Sequence, residues 1–324
     1  MNIFKVFITI GISLLVFSGC AKYEAKNHLE LKEIEKGLKL TESELKQDPD
    51  DTYMNYYHGR FLVSQKKYKE SIAYFKKAAE SFPYSTYHKL WLGIAYGKAK
   101  DYKNEQKVYE DILKDKNGNY KSAWAYLGRS YYKDMQYEKA LETLKKGIER
   151  YRKPHSNMYY YYAKSLNKIG DTENAKKYFK EYLRKFPDYS LAKWAVYNLN
   201  KLEDFEYSNF KIGQETVSIR NMDYLPNSND IEYYSKQGLN KIGKRLLEDK
   251  DITLYIVSYD TNNLTRAEKR VKNIKKYLLN NFSDIDFENI RIAWFKTPRK
   301  IEVDKKIFKR DVYVNFFTTN KKDK

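Results

Sequence analysis

Cys20 is the only thiol in the chain, so neither an intramolecular disulfide framework nor a multi-cysteine zinc site can form. The four histidines, His28, His58, His88 and His155, are too scattered to make a cluster in sequence. No glycine-rich phosphate loop, G-x-S-x-G elbow or H-E-x-x-H pair occurs. The closely spaced carboxylates Asp48, Asp50 and Asp51 flank Pro49 and read as helix caps in a turn, not as an acid–base pair. These residues point to a protein without metal or cofactor that is not an enzyme and works through its surfaces. Two places remain where side-chain chemistry is concentrated. One is Cys20 itself, at the end of an apolar run. The other is the stretch from Asp260 through Asn263 to Arg270, where opposite charges bracket the start of a helix.

The elements that must position these residues follow from length and composition. A chain of 324 residues with 42% hydrophobic and 32% charged residues can bury a core in each of two domains. Only 13 Gly and 6 Pro argue against loop-rich β architecture. Lys and Arg total 62 against 43 Asp and Glu, a formal charge of +19. The excess is spread along the chain rather than blocked. A basic surface often meets nucleic acid. After an export signal, anionic phospholipid, lipopolysaccharide or a cell-wall polymer is the expected counter-surface, and no nucleic acid. A compositional habit, Lys- and Tyr-rich throughout, accounts for the charge equally well.

Residues 1–19 carry one early positive charge, Lys5, then an apolar run from Val6 to Phe17 and the small pair Ser18-Gly19. This is the pattern of a secretory signal, too short for a spanning helix. The ending Phe17-Ser18-Gly19-Cys20 resembles a bacterial lipobox, with Phe17 where Leu is usual. The resemblance implies cleavage before Cys20, lipidation of Cys20 and stable attachment to a membrane. Ala21 rather than Asp follows the Cys, which by the same resemblance favours an outer-membrane lipoprotein facing the periplasm.

Four segments align without gaps, starting at Thr52, Thr86, Lys121 and Ser156, at spacings of 34 or 35 residues. They resemble the tetratricopeptide repeat, a helix-turn-helix unit of about 34 residues. The third copy carries Trp124, Leu127, Gly128, Tyr131 and Ala140 at the preferred positions. Small residues at Gly59, Gly93, Gly128 and Ala163 let paired helices approach. Phe75, Tyr109 and Phe179 fill the space between helices, and each unit covers the apolar face of the next. Glu105 stands where a small residue is usual, so a looser contact is expected within the second unit. Leu31 to Gln47 reads as a preceding helix and Leu191 to Leu202 as a closing one. The resemblance implies a concave groove lined by the first helix of each unit. Carried over, it is formed by Tyr53, Tyr56 and Arg60, by Tyr87, Leu90 and Lys98, by Arg129, Tyr132 and Lys133, and by Tyr160, Lys164, Asn167 and Lys168. Such an aromatic and basic groove suits an acidic or extended peptide segment.

Beyond Asp204 the pattern changes. Residues 205–213 read as a linker, Thr216 to Arg220 as β-like, and Asp230 to Leu247 as a helix. Ile252 to Ser258 is a strong strand, Asn263 to Asn281 a helix, and Ile290 to Phe295 and Val312 to Phe317 are strands. The order β-α-β-α-β-β predicts a mixed sheet with helices on one face. That order, with Asn263, Arg270, Val271, Ile274, Tyr277 and Leu278 at matching spacing and Asp260 at the end of the preceding strand, resembles the OmpA-like peptidoglycan-binding domain. The resemblance implies that Asp260 and Arg270 hold the charged end of the diaminopimelate residue of the stem peptide, with Asn263 opening the helix beside it. Here Asp260 and Thr261 are reversed, the loop to Asn263 is short, and Arg266 replaces the usual Leu.

The expected organisation is a signal peptide (1–19), a lipidated Cys and capping helix (20–51), four repeats with a capping helix (52–204) and an OmpA-like α/β domain (205–324). The fold class is a tetratricopeptide α-solenoid followed by a small α/β domain. The expected function is a non-enzymatic envelope lipoprotein, held by its lipid, with a protein or peptide partner in the groove and peptidoglycan as a possible ligand of the tail. The alternative is an accessory lipoprotein of an outer-membrane assembly or secretion machine that binds proteins only.

Overall fold

The computed structural model describes residues 20–115, 118–225 and 228–321. The signal segment expected over 1–19 lies outside them. The chain forms two compact units that divide between Ile169 and Gly170.

The first unit is a run of antiparallel helix pairs. Residues 20–30 are helical (α1). They are followed by α2 (Ile34–Gln47), α3 (Thr52–Ser64), α4 (Tyr68–Ser81), α5 (Thr86–Lys98), α6 (Tyr102–Leu113), α7 (Lys121–Lys133), α8 (Tyr137–Arg150) and α9 (Ser156–Lys168). The four repeat starts read from the sequence are the first residues of α3, α5, α7 and α9. Capping fixes several of these ends. The Asp51 carboxylate accepts from Met54 N–H at the start of α3, and Asp101 accepts from Asn104 N–H at the start of α6.

The backbone records the repeat more evenly than the side chains do. Lys32, Lys66, Lys100 and Met135 each adopt a left-handed φ of 59–64° at the turn that ends the first helix of a pair. Each turn closes with the same bonds, as where Lys67 N–H reaches Leu62 C=O and Gln136 N–H reaches Tyr131 C=O. Lys32 extends this register upstream. The stretch expected as one capping helix is therefore a full helix pair, α1 and α2, with Leu31 and Lys32 in the turn.

Close approach in the pairs depends on missing side chains. A Cβ at Gly93 would lie 2.5 Å from the Tyr109 ring, and one at Gly128 would lie 2.3 Å from Leu144. Tyr109, Leu144 and Met158 are fully buried in one cluster, and Met54, Phe61 and Phe75 in another. The looser contact expected at Glu105 is not found. Its carboxylate fills the space over Gly97, where a Cβ would meet it at 2.3 Å.

The second unit begins with α10 (Thr172–Lys185) and α11 (Ala192–Lys201). It continues through β1 (Tyr207–Ile212), β2 (Glu215–Arg220), α12 (Tyr233–Glu248), β3 (Ile252–Asp260), α13 (Leu264–Asn281), β4 (Ile290–Phe295), β5 (Arg299–Val303), β6 (Lys306–Arg310) and β7 (Val312–Asn320). A boundary after Asp204 was expected from the change of pattern. The compact division falls earlier because α11 packs on β1 and β2. In addition, Lys180 of α10 pairs with Asp204 at 2.6 Å and Glu206 at 2.7 Å.

The sheet order is β4-β3-β7, with β3 parallel to β4 and antiparallel to β7. β3 is central, which is why its sequence is almost continuously apolar. The expected order β-α-β-α-β-β lacked three strands. The stretch 205–213, read as a linker, contains β1, which forms a hairpin with β2 across Gly213, whose φ is 58°. The β5–β6 hairpin turns at Asp304 and Lys305, both left-handed, without the glycine that usually marks such a turn. The core of this unit joins Phe210, Ile212 and Ile219 to Leu239 and Ile242 of α12, Val271, Ile274 and Leu278 of α13, and Leu254, Ile256 and Phe316 of the sheet.

Candidate functional site

In the first unit, the first helices of successive pairs bring some of the expected groove residues together. The Tyr56 and Tyr87 hydroxyls lie 2.6 Å apart, linking α3 to α5. Arg60 donates to the Tyr56 hydroxyl, and its guanidinium stacks 3.8 Å from the centre of the Trp91 ring. Burial, helped by Tyr87, pushes the Tyr56 hydroxyl well above its ordinary pKa, so it stays a neutral hydrogen-bonding group. Tyr87 is 54% exposed and Tyr53 is exposed beneath the Lys22 ammonium, 3.4 Å from its ring centre. Further along, Tyr132 packs against Tyr161 with ring centroids 5.4 Å apart, and Lys164 lies 5.8 Å from the Tyr132 ring. Lys133 and Lys168 are exposed, while Leu90 and Asn167 are half-buried. Lys98 lies 6.0 Å from the Tyr68 ring.

Three expected groove residues differ from that reading. Tyr56 and Tyr160 are buried and serve packing more than contact. Arg129 is occupied by the 1%-exposed Glu105, with Nη2 2.9 Å from Oε1. Burial raises the Glu105 pKa, and Arg129 opposes this without cancelling it. Trp91 and Tyr161 were absent from the sequence reading. Trp91 sits one position past Leu90 on α5, and its contact with Arg60 depends on the neighbouring repeat.

In the second unit, β3 ends at Asp260 and α13 begins after Asn263, so the short loop folds back on the Asp260 carboxylate. Asp260 is 0% exposed and saturated. It accepts from Arg266 Nε at 2.6 Å and Nη2 at 3.0 Å, from Asn263 N–H at 3.0 Å and from Asn262 N–H at 3.1 Å. Arg270 Nη1 is 3.5 Å away. Burial works to raise this carboxyl, but the Arg266 and backbone hydrogen bonds outweigh it and hold the pKa below the usual carboxylate range. The structure thus gathers Asp260, Asn263 and Arg270, but with Arg266 on the carboxylate that the resemblance expected a ligand ammonium to meet. Around the helix start, the N–H groups of Asn262 and Asn263 are spent on Asp260 and that of Arg266 on the Asn263 side chain. Arg270 and Asn263, but not Asp260, line a cavity of about 690 Å³ with Tyr224, Lys269 and Arg310. Among the described residues no group of His, Cys, Asp and Glu is arranged to hold a metal ion.

Comparison with known proteins bears on the first of these sites. The family described as "Tetratricopeptide repeat" matches residues 24–86, 122–153 and 158–189. The TPR repeat-containing protein YpiA of Bacillus subtilis (strain 168) is 32% identical over 158 residues, 45% of this chain and 36% of that protein. The chain thus spans about a third of the length of this relative. The crystal structure of PilW, described as a widely conserved type IV pilus biogenesis factor, superposes with a TM-score of 0.51 at 16% identity, covering 58% of this chain and 86% of that one. Pseudomonas aeruginosa pilF gives 0.48 at 14% identity, covering 57% and 83%. The protein is a helical repeat scaffold with a small strand-containing C-terminal region. The repeats it carries are tetratricopeptide repeats, suited to binding other proteins.

Proposed function

We propose that the chain is a non-enzymatic envelope lipoprotein whose repeat face holds an extended segment of a partner protein while Cys20 anchors it to the membrane. The observation that carries this is the ladder Tyr87–Tyr56–Arg60–Trp91. It puts a cation, a flat ring and an exposed tyrosine on adjoining first helices, as a peptide-binding face requires. Cys20 is exposed and unpaired at the start of α1, accessible for acylation. The test places a photo-crosslinking amino acid at Tyr87 in cells. Discrete adducts in the membrane fraction are expected. A control probe at the exposed Lys146 on α8 should give none. Cys20→Ser should move the protein to the soluble fraction and abolish labelling by a fatty-acid probe. Equal adducts at both probes, or unchanged labelling in the Ser variant, would sink the reading.

For the C-terminal region the alternative, binding proteins rather than the stem peptide, has a specific observation in its favour. Arg266 closes the carboxylate that the OmpA-like resemblance assigns to the ligand's ammonium. If stem-peptide binding persists, the chain should sediment with purified peptidoglycan, and Arg270→Ala should release it. Wild-type protein left in the supernatant at low salt decides for the alternative.

A further inference from the structure

The cavity of the second unit has an unbalanced chemistry. Its wall carries four cations, Arg266, Lys269, Arg270 and Arg310, against one carboxylate, Asp223. Arg266 is paired with Asp260, which Arg270 Nη1 also approaches at 3.5 Å, and Asp223 lies 3.5 Å from Arg220. Lys269 and Arg310 are exposed and form no ion pair among the described residues. Arg270 is only 12% exposed, and its guanidinium lies 4.4 Å from the centre of the Tyr224 ring. Two buried polar atoms on this wall, Arg270 Nε and the Tyr224 hydroxyl, have no hydrogen-bond partner among the described residues. A buried donor left unpaired is costly. Both are closed off as the wall stands, and acceptor oxygens entering the cavity would satisfy them once the Tyr224 and Arg270 side chains turn toward it.

We propose that the cavity bounded by Tyr224, Lys269, Arg270 and Arg310 binds a phosphate-bearing ligand. A zwitterion is disfavoured, because Asp260 is closed and no second buried carboxylate faces the space. A lone carboxylate satisfies one guanidinium fork. A phosphate offers a dianion and enough oxygens for Arg270, the Tyr224 hydroxyl and a second cation at once. Lys269 and Arg310, both exposed, supply attraction rather than fixed geometry. The inference is independent of the groove in the first unit.

The test is calorimetric titration of the full chain with inorganic phosphate, glycerol 3-phosphate, acetate and meso-diaminopimelate at matched ionic strength. Phosphate and glycerol 3-phosphate should bind, and compete with each other, at least about tenfold more tightly than acetate or diaminopimelate. Arg270→Gln should weaken phosphate binding by about tenfold or more. Arg270→Lys, which keeps the charge and loses the fork, should fall between. Because Arg270 is largely buried, the exposed pair Lys269→Gln/Arg310→Gln provides a variant expected to fold normally. It should weaken binding several-fold with an unchanged melting temperature. Phosphatidylcholine vesicles with and without phosphatidic acid form a second arm. Tighter binding to the phosphatidic acid vesicles than to glycerol 3-phosphate, weakened by Arg270→Gln, assigns the phosphate to a lipid headgroup, and the reverse assigns it to a soluble molecule. Acetate or diaminopimelate binding as tightly as phosphate overturns the proposal, as does a double variant that binds like wild type.

Discussion

Glu105 in the repeat unit and Asp260 in the C-terminal unit are both closed to solvent and both paired with arginine, yet their pKa values move in opposite directions. Glu105 has one guanidinium contact and lies over a glycine among aromatic rings, so desolvation wins and its pKa rises. Asp260 accepts a two-pronged Arg266 and two backbone N–H groups, so hydrogen bonding wins and its pKa falls. Burial alone therefore does not decide whether an internal carboxylate is a burden. The number of donors aimed at it does. The repeat fold offers Glu105 only side chains from neighbouring helices, because helical N–H groups are already used. The strand-to-helix loop offers Asp260 free backbone donors.

The comparison can be broken most forcefully at Arg129. Arg129→Gln leaves Glu105 buried and uncompensated, a loss of about 3–5 kcal/mol at neutral pH. Glu105 already binds its proton more tightly folded than unfolded, so stability should rise as pH falls through its elevated folded pKa toward the unfolded value. Removing Arg129 enlarges that gain. Urea unfolding of the variant at pH 7 and pH 5 should show partial recovery at the lower pH. A pH-independent loss would mean that Glu105 is already neutral.

Gly128→Leu tests the packing of the same unit without charge. The side chain has no room beside Leu144, and overpacking should cost about 1–3 kcal/mol, read as a lower denaturation midpoint. An unchanged midpoint would contradict the register of the third repeat.

Arg266→Gln is the milder counterpart. Arg266 is 39% exposed and Asp260 keeps its two backbone donors, so the loss should be about 1–2 kcal/mol. The pH sign is reversed. A depressed carboxylate contributes stability above its unfolded pKa and loses it as pH falls through the folded pKa. Weakening the depression leaves less stability to lose, so this variant should stay flat from pH 7 to pH 5, where Arg129→Gln recovers, and fall less steeply than wild type only below the ordinary aspartate range. Parallel pH profiles for the two variants would remove the distinction between the sites.

The sequence by itself determined the repeat register, because a 34- or 35-residue period is written locally in small residues, aromatics and turns. The starts at Thr52, Thr86, Lys121 and Ser156 needed no tertiary information. It also determined β3, α13 and the Asn263 cap, through an apolar run and a helix signal next to each other. The first helix pair was half legible, since α1 follows directly on the apolar segment and Lys32, not a glycine, takes the left-handed turn position. The β5–β6 hairpin was hidden for the same reason, with Asp304 and Lys305 at its turn. β1 left a usable signal in the alternation of Ser208, Phe210 and Ile212 before Gly213. What only the tertiary structure decided is which charges are free. Asp260 and Arg270 stand at spacings that suggest a shared ligand, and Arg129 stands where a groove cation belongs. Arg266 closes the first and Glu105 consumes the other. The choice among nearby partners is made by distance and desolvation in the folded chain, neither of which is encoded in the spacing of residues along it.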